Sequence, residues 1–290
     1  MLKNRNFYSD KLWFFVAVAI AGLIAGAVLI TSFGNVSQHS LLCSLAGSYK
    51  RIGDSTQNQQ LQTILHYATS RVVPQQSISE IRVSFDVLQS LSPCNFLIFG
   101  LGHDSLMWSS FNPRGTTLFL EEDSKWIQSV LKDASHLNAH HVVYPTHLSQ
   151  ADELIKSYRS EPDCLPSNTK SPITNVHTQC KLALTSLPKE VYDKEWDLIM
   201  IDAPKGYYPE APGRMGAIYS AVVMARARMR PGVTHVFLHD VDRRVEKMFA
   251  EEFLCKKYLV KAVGRLWHFE IPSAVNDTGN GGATTTGSFC

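Results

Sequence analysis

The chain has 290 residues, with 28 Lys and Arg against 26 Asp and Glu, a formal net charge of +2. So even a balance argues against nucleic acid as the main partner. The length holds one full α/β domain with segments to spare.

The N-terminal stretch departs from the average. Leu12 to Phe33 is a charge-free apolar run of 22 residues, enough to span a bilayer. Lys3, Arg5 and Lys11 precede it, and no Lys or Arg follows until Lys50. The positive-inside rule therefore predicts a cytosolic tail at 1–11, a transmembrane signal anchor at 12–33 and a luminal remainder. The run is long for a cleaved signal peptide, and no convincing small-residue cleavage site follows it. All six cysteines (Cys43, Cys94, Cys164, Cys180, Cys255 and Cys290) lie beyond the anchor, on the side where disulfides persist. None has a CxxC or zinc spacing. Cys164 and Cys180 bracket a polar loop, and their bridge is the expected staple; the partners of the other four are not legible. Of two glycosylation sequons, Asn276-Asp277-Thr278 lies in a flexible tail and is the expected acceptor, whereas Asn35-Val36-Ser37 hugs the membrane.

Residues 34–60 are polar without a period and read as a stem. A methyltransferase-sized domain follows at 61–272, then a Gly/Thr/Ser/Asn-rich tail at 273–290 that is expected to be disordered apart from any tie at Cys290. Helical spacing appears at Gln60–Ala68 and again at Ser79–Leu91, where Ile81, Phe85, Leu88 and Leu91 form the apolar face. The first strand is expected at 95–100, ending in Gly100-Leu101-Gly102, with a helix over 104–111. The second strand, 116–121, ends in Glu121-Glu122-Asp123, with Asp123 or Ser124 capping the next helix. His141–Tyr144 (HVVY) reads as strand three and Ala151–Tyr158 as a helix. The stretch 160–180 is an irregular loop, and 181–184 is a short strand or turn. Strand four, 197–202, is continuously apolar, as in a parallel strand covered on both faces. A helix over Ala217–Met229, strand five at 234–239 and a helix over Arg243–Leu254 follow. The runs 258–263 and 266–271 close the domain as a hairpin around Gly264-Arg265.

Alternating units imply an α/β fold with a parallel sheet and helices on both faces. The terminal antiparallel hairpin separates this order from six-stranded dinucleotide dehydrogenases. It points to the seven-stranded, Rossmann-like sheet of methyltransferases that use S-adenosyl-L-methionine as cofactor, here preceded by the transmembrane helix.

Ligands of open α/β sheets bind at the carboxyl ends of the strands. The expected donor site there is Gly100, Gly102 and Asp104 after strand one, with Glu121 and Glu122 after strand two. Glu121 is preferred for the ribose hydroxyls because it is the first residue past the apolar run. Strand four presents Asp202, then a Pro- and Gly-rich loop carrying Lys205, Tyr207, Tyr208 and Arg214. These are the candidates for the acceptor: tyrosines stack on sugar rings and cations pair with carboxylates. Strand five presents His239 and Asp240. A sugar hydroxyl is a poor nucleophile, so a general base is expected, with Asp202 and His239 as candidates. A second mechanism stays open, in which Asp202, Asp240 and Asp242 hold a divalent metal cation that acidifies the hydroxyl. Helix capping would explain Asp104 and Asp123 equally well, and burial for structure alone would explain His239.

The segments NFLIFGLGHDSLMW, TLFLEED, HVVY, WDLIMIDAPKGYYPEAPGRM and THVFLHDVDRRVE resemble the plant Golgi family of polysaccharide glucuronic acid 4-O-methyltransferases, over about residues 60–272. PKGYYPEAPGRM and GRLWHFEIP are more similar to the arabinogalactan branch than to the glucuronoxylan branch, with Lys205 and Arg243-Arg244 as the discriminating positions. The resemblance implies S-adenosyl-L-methionine as donor and O-4 of glucuronic acid on arabinogalactan glycans as acceptor. It also implies a single-pass type II protein of the Golgi apparatus membrane. Gly100, Gly102 and Glu121 would belong to the donor site, and Asp202 and His239 to the transfer point. Its alternatives are a glucuronoxylan 4-O-methyltransferase and a non-catalytic partner in a Golgi polysaccharide-synthesis complex.

Overall fold

A computed structural model describes residues 56–166, 179–274 and 289–290. The expected anchor at 12–33, most of the stem, Cys43 and both sequons lie outside the described residues. Among the described residues, no helix is long and apolar enough to cross a membrane. Chain contacts divide the protein into Met1–Leu61 and Gln62–Cys290, and all that follows concerns the second unit.

That unit is organised on a seven-stranded sheet, in the order β3-β2-β1-β4-β5-β7-β6. The strands are β1 (Asn95–Phe99), β2 (Thr116–Glu121), β3 (Asn138–His141), β4 (Leu198–Ile201), β5 (Val233–Leu238), β6 (Leu259–Val263) and β7 (Leu266–Pro272). β1 to β5 pair in parallel, while β7 runs antiparallel to both β5 and β6. The expected closing hairpin is therefore present. The chain order reverses between β1 and β4, which opens a crevice at their carboxyl ends.

The period of two along each strand sorts side chains onto two faces. In β1, Leu97 and Phe99 join one core cluster, and Phe96 and Ile98 the other. The first face is covered by α5 (Ala151–Ser157), α6 (Lys189–Asp193), α7 (Met215–Arg226) and α8 (Arg244–Phe249). The second is covered by α2 (Ile78–Leu91), α3 (Ser105–Phe111) and α4 (Ser124–Asp133). A helix over 56–69, labelled α1, precedes them. α7 is apolar nearly all round and is buried from Met215 to Val223, as a helix inside a core should be.

Three expectations shift. Strand three is Asn138–His141, ahead of HVVY. It is an edge strand, only half buried and polar in sequence, so periodicity could not mark it. Val142, fully buried, is where its ladder ends: the amide donates to Glu121 O at 2.9 Å, and the chain then leaves the sheet. Lys181–Leu184 forms no strand; Leu182 and Leu184 are instead buried against α7, and the Leu184 amide donates to Ser220 Oγ. The helix that starts at Arg244 widens after Phe249 into a π turn, Ala250–Leu254, and ends at Cys255 with φ of 67°.

The Cys164–Cys180 bridge is present. A second bridge, Cys255–Cys290, ties down the C-terminal tail, whose Phe289 packs edge-on against Tyr219 and Phe253. Cys94, a candidate disulfide partner just ahead of the glycine turn, is instead a buried free thiol, pushed up to about 12 by burial and the charge of Asp197. The sequence separation of 16 across Cys164–Cys180 sets the expected effect of removing that bridge. Cys164→Ser with Cys180→Ser should cost about 3 kcal/mol in chemical denaturation, because a loop of that length regains its freedom in the unfolded chain. An unchanged midpoint would mean that the loop is held by its packing alone.

Candidate active site

The crevice holds a cavity of about 460 Å³, within the range of small-molecule sites. Its walls come from the glycine turn after β1, the acids after β2, Asp202 and the loop after β4, and Asp240 and Arg243 after β5.

Gly100 adopts φ of +129°, and a Cβ there would lie 3.2 Å from Ala203 Cβ. Only glycine takes that conformation without strain, and it lets the turn pass directly over the start of the β4 loop. Gly102 donates its amide to Ser105 Oγ at 2.9 Å, so Ser105 closes the turn. Asp104 does not cap α3. It accepts from Trp108 Nε1 at 2.8 Å, and burial together with the charge of Asp202 raises its carboxyl.

The two glutamates divide their work. Glu121 is buried and accepts the amides of Leu101 (3.0 Å) and Asp123 (3.1 Å), so it clasps the turn after β1 to the turn after β2. Burial and the neighbouring Glu122 push its carboxyl up to about 7. Glu122 accepts the Lys205 amide at 3.2 Å through Oε1, while its Oε2 is buried with no hydrogen-bond partner. A buried carboxylate oxygen left open is costly unless a ligand donates to it. Asp123 is the cap of α4, accepting from the amides of Lys125 and Trp126.

Behind the cavity lies a charged cluster. His239 Nδ1 is 2.8 Å from Asp202 Oδ1, and Gln76 Nε2 donates to Asp202 Oδ2 at 3.0 Å. Burial acts to raise the Asp202 carboxyl, but the His239 hydrogen bond, the Arg214 charge and Gln76 outweigh it and hold the group below the ordinary value. Arg214 donates to the carbonyls of Asp202 (2.5 Å), His239 (2.7 Å) and Pro204 (3.3 Å), and to Asp240 Oδ2 at 2.8 Å. Asp240 sits at φ of 60°, unusual for a residue with a side chain, and receives two more guanidinium groups: Arg243 at 3.0 Å and Arg265 at 2.7 Å. Glu80 completes the wall. It boxes the start of α2 with Ser77, accepts the Arg265 amide at 2.6 Å and faces His239 Nε2 at 3.8 Å.

This arrangement corrects four expected roles. Arg214 is 4% exposed and its donors are spent on the protein, so it braces the site and does not reach an acceptor. His239 is 0% exposed and lies behind Asp202, outside the cavity wall, so it is placed to orient Asp202 and not to take a substrate proton. Asp240 lines the cavity, but three guanidinium groups hold it, which leaves it no role as a base. Asp242 is exposed and apart from the cluster. The metal trio Asp202, Asp240 and Asp242 is therefore not assembled. Asp202, His239 and Asp240 do bring ligand atoms within 4.8 Å of one another, but Arg214 bridges the two carboxylates and a cation there would sit against its charge. The cluster as arranged does not fit a resident metal.

Lys205 and Tyr207 line the mouth of the cavity. Tyr208 stands beside Tyr207, the rings 5.1 Å apart, outside the wall. Sequence reasoning missed Trp126, whose Nε1 donates to Leu101 O at 2.5 Å and whose ring meets His103 edge-on at 5.4 Å. Its helical spacing marked it only as core. Gln76, Arg243 and Arg265 were also missed as members of the cluster; no local signal separates them from surface polar residues.

The family model described as IRX15/IRX15L/GXM matches residues 79–269. The chain is 59% identical to arabinogalactan O-methyltransferase 1 of Arabidopsis thaliana, over 93% of this chain and 95% of that protein. It is 61% identical to arabinogalactan O-methyltransferase 2 of the same plant, over 93% and 92%. It is 51% identical to glucuronoxylan 4-O-methyltransferase 1, also of Arabidopsis thaliana, over 73% of each chain.

Proposed function

The chain belongs to the IRX15/IRX15L/GXM family, and on that premise we propose that it is an S-adenosyl-L-methionine-dependent O-methyltransferase acting on glucuronic acid residues of arabinogalactan glycans. The observation that carries the reading is the crevice cavity, with the glycine turn and an unpartnered Glu122 oxygen on one side and the ionised Asp202 on the other.

When bound, the sulfonium supplies an activated methyl group and leaves as a neutral thioether. The remaining work falls to the chain. Glu122 Oε2 accepts a ribose hydroxyl, the turn at Gly100–Gly102 lets the ligand approach the backbone, and Trp126 with His103 offers an aromatic edge to the base. Glu121 shapes this site by clasping the two turns, so the preference for it over Glu122 as the ribose acceptor is reversed. Lys205 stands at the mouth to meet an acceptor carboxylate, and Tyr207 presents a ring face for a sugar. Asp202 takes the hydroxyl proton as the oxygen attacks in line with the S–CH3 bond. His239 and Gln76 hold the carboxylate in place.

Glu122→Gln should weaken S-adenosylhomocysteine binding roughly 10- to 100-fold by calorimetry, as expected for loss of a hydrogen bond to a charged group worth about 1.5–3 kcal/mol. Unchanged affinity would remove Glu122 from the donor site. The acceptor reading is tested by offering arabinogalactan and glucuronoxylan oligosaccharides side by side with labelled donor. Labelling of O-4 on arabinogalactan glucuronic acid is expected; labelling of xylan alone would overturn it.

The chain is further read as a single-pass type II protein of the Golgi membrane, with this site in the lumen. The charge asymmetry around residues 12–33 supports that orientation, and so do the two disulfides, which need an oxidising compartment. Protease protection of the folded domain in sealed Golgi vesicles is the expected result.

A further inference from the structure

A second cluster lies away from the crevice, on the β5–β7 ladder. His235 of β5 pairs directly with Glu270 of β7, and Phe237 pairs with His268. Partners directly opposite and residues two apart on one strand share a face, so all three side chains emerge on the same side of the sheet. His235 Nδ1 lies 3.0 Å from His268 Nε2 and 3.8 Å from Glu270 Oε1, and one ligand atom from each falls within 4.8 Å of the others. The rings stack, and the His268 ring also lies on Phe237 at 4.4 Å, which fixes its orientation.

We propose that His235, His268 and Glu270 form a binding site for one zinc ion that clips β7 to β5. Two imidazoles and a carboxylate are ligands that zinc accepts, leaving a fourth position for water on the exposed Glu270 side. Tetrahedral zinc at ordinary bond lengths holds two nitrogens about 3.3 Å apart, so the pair has only to open slightly. Both rings are kept neutral by burial, His268 down to about 4, so the site is not defended by imidazolium charge. One ring nitrogen donates the proton shared between them. On binding, that proton moves to the far nitrogen of its own ring, and the freed lone pair takes the ion without net loss of a proton. Lys261, opposite His268 on β6, is the nearest opposing charge, and it is exposed on a flexible stem. The clip would hold the hairpin whose turn carries Arg265 to Asp240. It does not depend on the proposed methyl transfer.

The test is zinc titration of the purified, chelator-stripped full chain against a chromophoric zinc indicator, with Co²⁺ absorption reporting tetrahedral geometry. One ion per chain is expected, with a zinc-dependent rise in melting temperature. Both should vanish in the His235→Gln, His268→Gln double variant. Because that variant could misfold, Glu270→Ala provides an exposed change that should weaken binding while leaving the zinc-free melting temperature unchanged. Asp202→Asn should bind zinc as the parent does. No binding by the parent chain, unaltered affinity in Glu270→Ala, or loss of the ion in Asp202→Asn would each overturn the proposal.

Discussion

Asp202→Asn should lower kcat roughly 10²- to 10⁴-fold, the usual range for removing a general base, while donor affinity stays within a few-fold of the parent. The local geometry tolerates the change. Asn keeps an oxygen to accept from His239, and its new NH2 group would face Gln76 Nε2, a donor. Gln76 can turn, because its Oε1 is buried without a partner and becomes the acceptor that the amide needs. The variant therefore isolates the loss of basicity. The pH profile gives a second reading. Asp202 is held below the ordinary carboxylate value, so the proton-accepting form is present throughout the neutral range. The acid limb of kcat/KM should accordingly lie below the ordinary Asp value, about 3.9. A limb centred near 7 would instead report Glu121, whose carboxyl is pushed to about 7. If Asp202→Asn kept a tenth or more of parental kcat, base catalysis at this residue would be ruled out.

What the sequence disclosed follows what local pattern encodes. β1, β2 and β4 are continuous apolar runs because helices cover both faces, and each was legible. β3 was misplaced because an edge strand needs no apolar pattern, whereas the buried Val142 just beyond it imitates one. The glycine turn and the residues at strand ends were legible because topology alone brings them to one rim. Their division of labour was not. That Glu121 spends both oxygens on backbone amides while Glu122 keeps one open depends on which face of the strand each occupies. Likewise, an arginine in a Gly- and Pro-rich loop looks exposed until the carbonyls that it meets are known. The Cys164–Cys180 bridge could be guessed from a short polar loop; Cys255–Cys290 spans 35 residues and depends on where the chain end docks.

Arg214→Met should be the most destabilising single change in the crevice, by about 3–5 kcal/mol, because it leaves buried charge and carbonyl groups without their partner. Met fills much of the same volume, so the effect isolates the lost hydrogen bonds and charge from any cavity. The guanidinium is nearly sealed from solvent and touches the loop after β4 and both residues at the end of β5. Arg243 and Arg265 remain on Asp240, which favours the lower end of that range. In a domain of this size the melting temperature should fall by roughly 10 °C. Arg244→Met is the control. Its pair with Asp152 has equally good distances, 2.8 and 2.9 Å, but both partners are more than half exposed, so less than about 1 kcal/mol is expected. Acid titration adds a signed test. A carboxyl held low in the fold stabilises it above the unfolded Asp value and loses that contribution as pH falls through the folded value. Without Arg214 the Asp202 carboxyl rises, so the variant's deficit should be largest at neutral pH and should shrink as both proteins are acidified. A deficit that is constant with pH would mean that the carbonyl contacts, and not the charge on Asp202, are what Arg214 contributes.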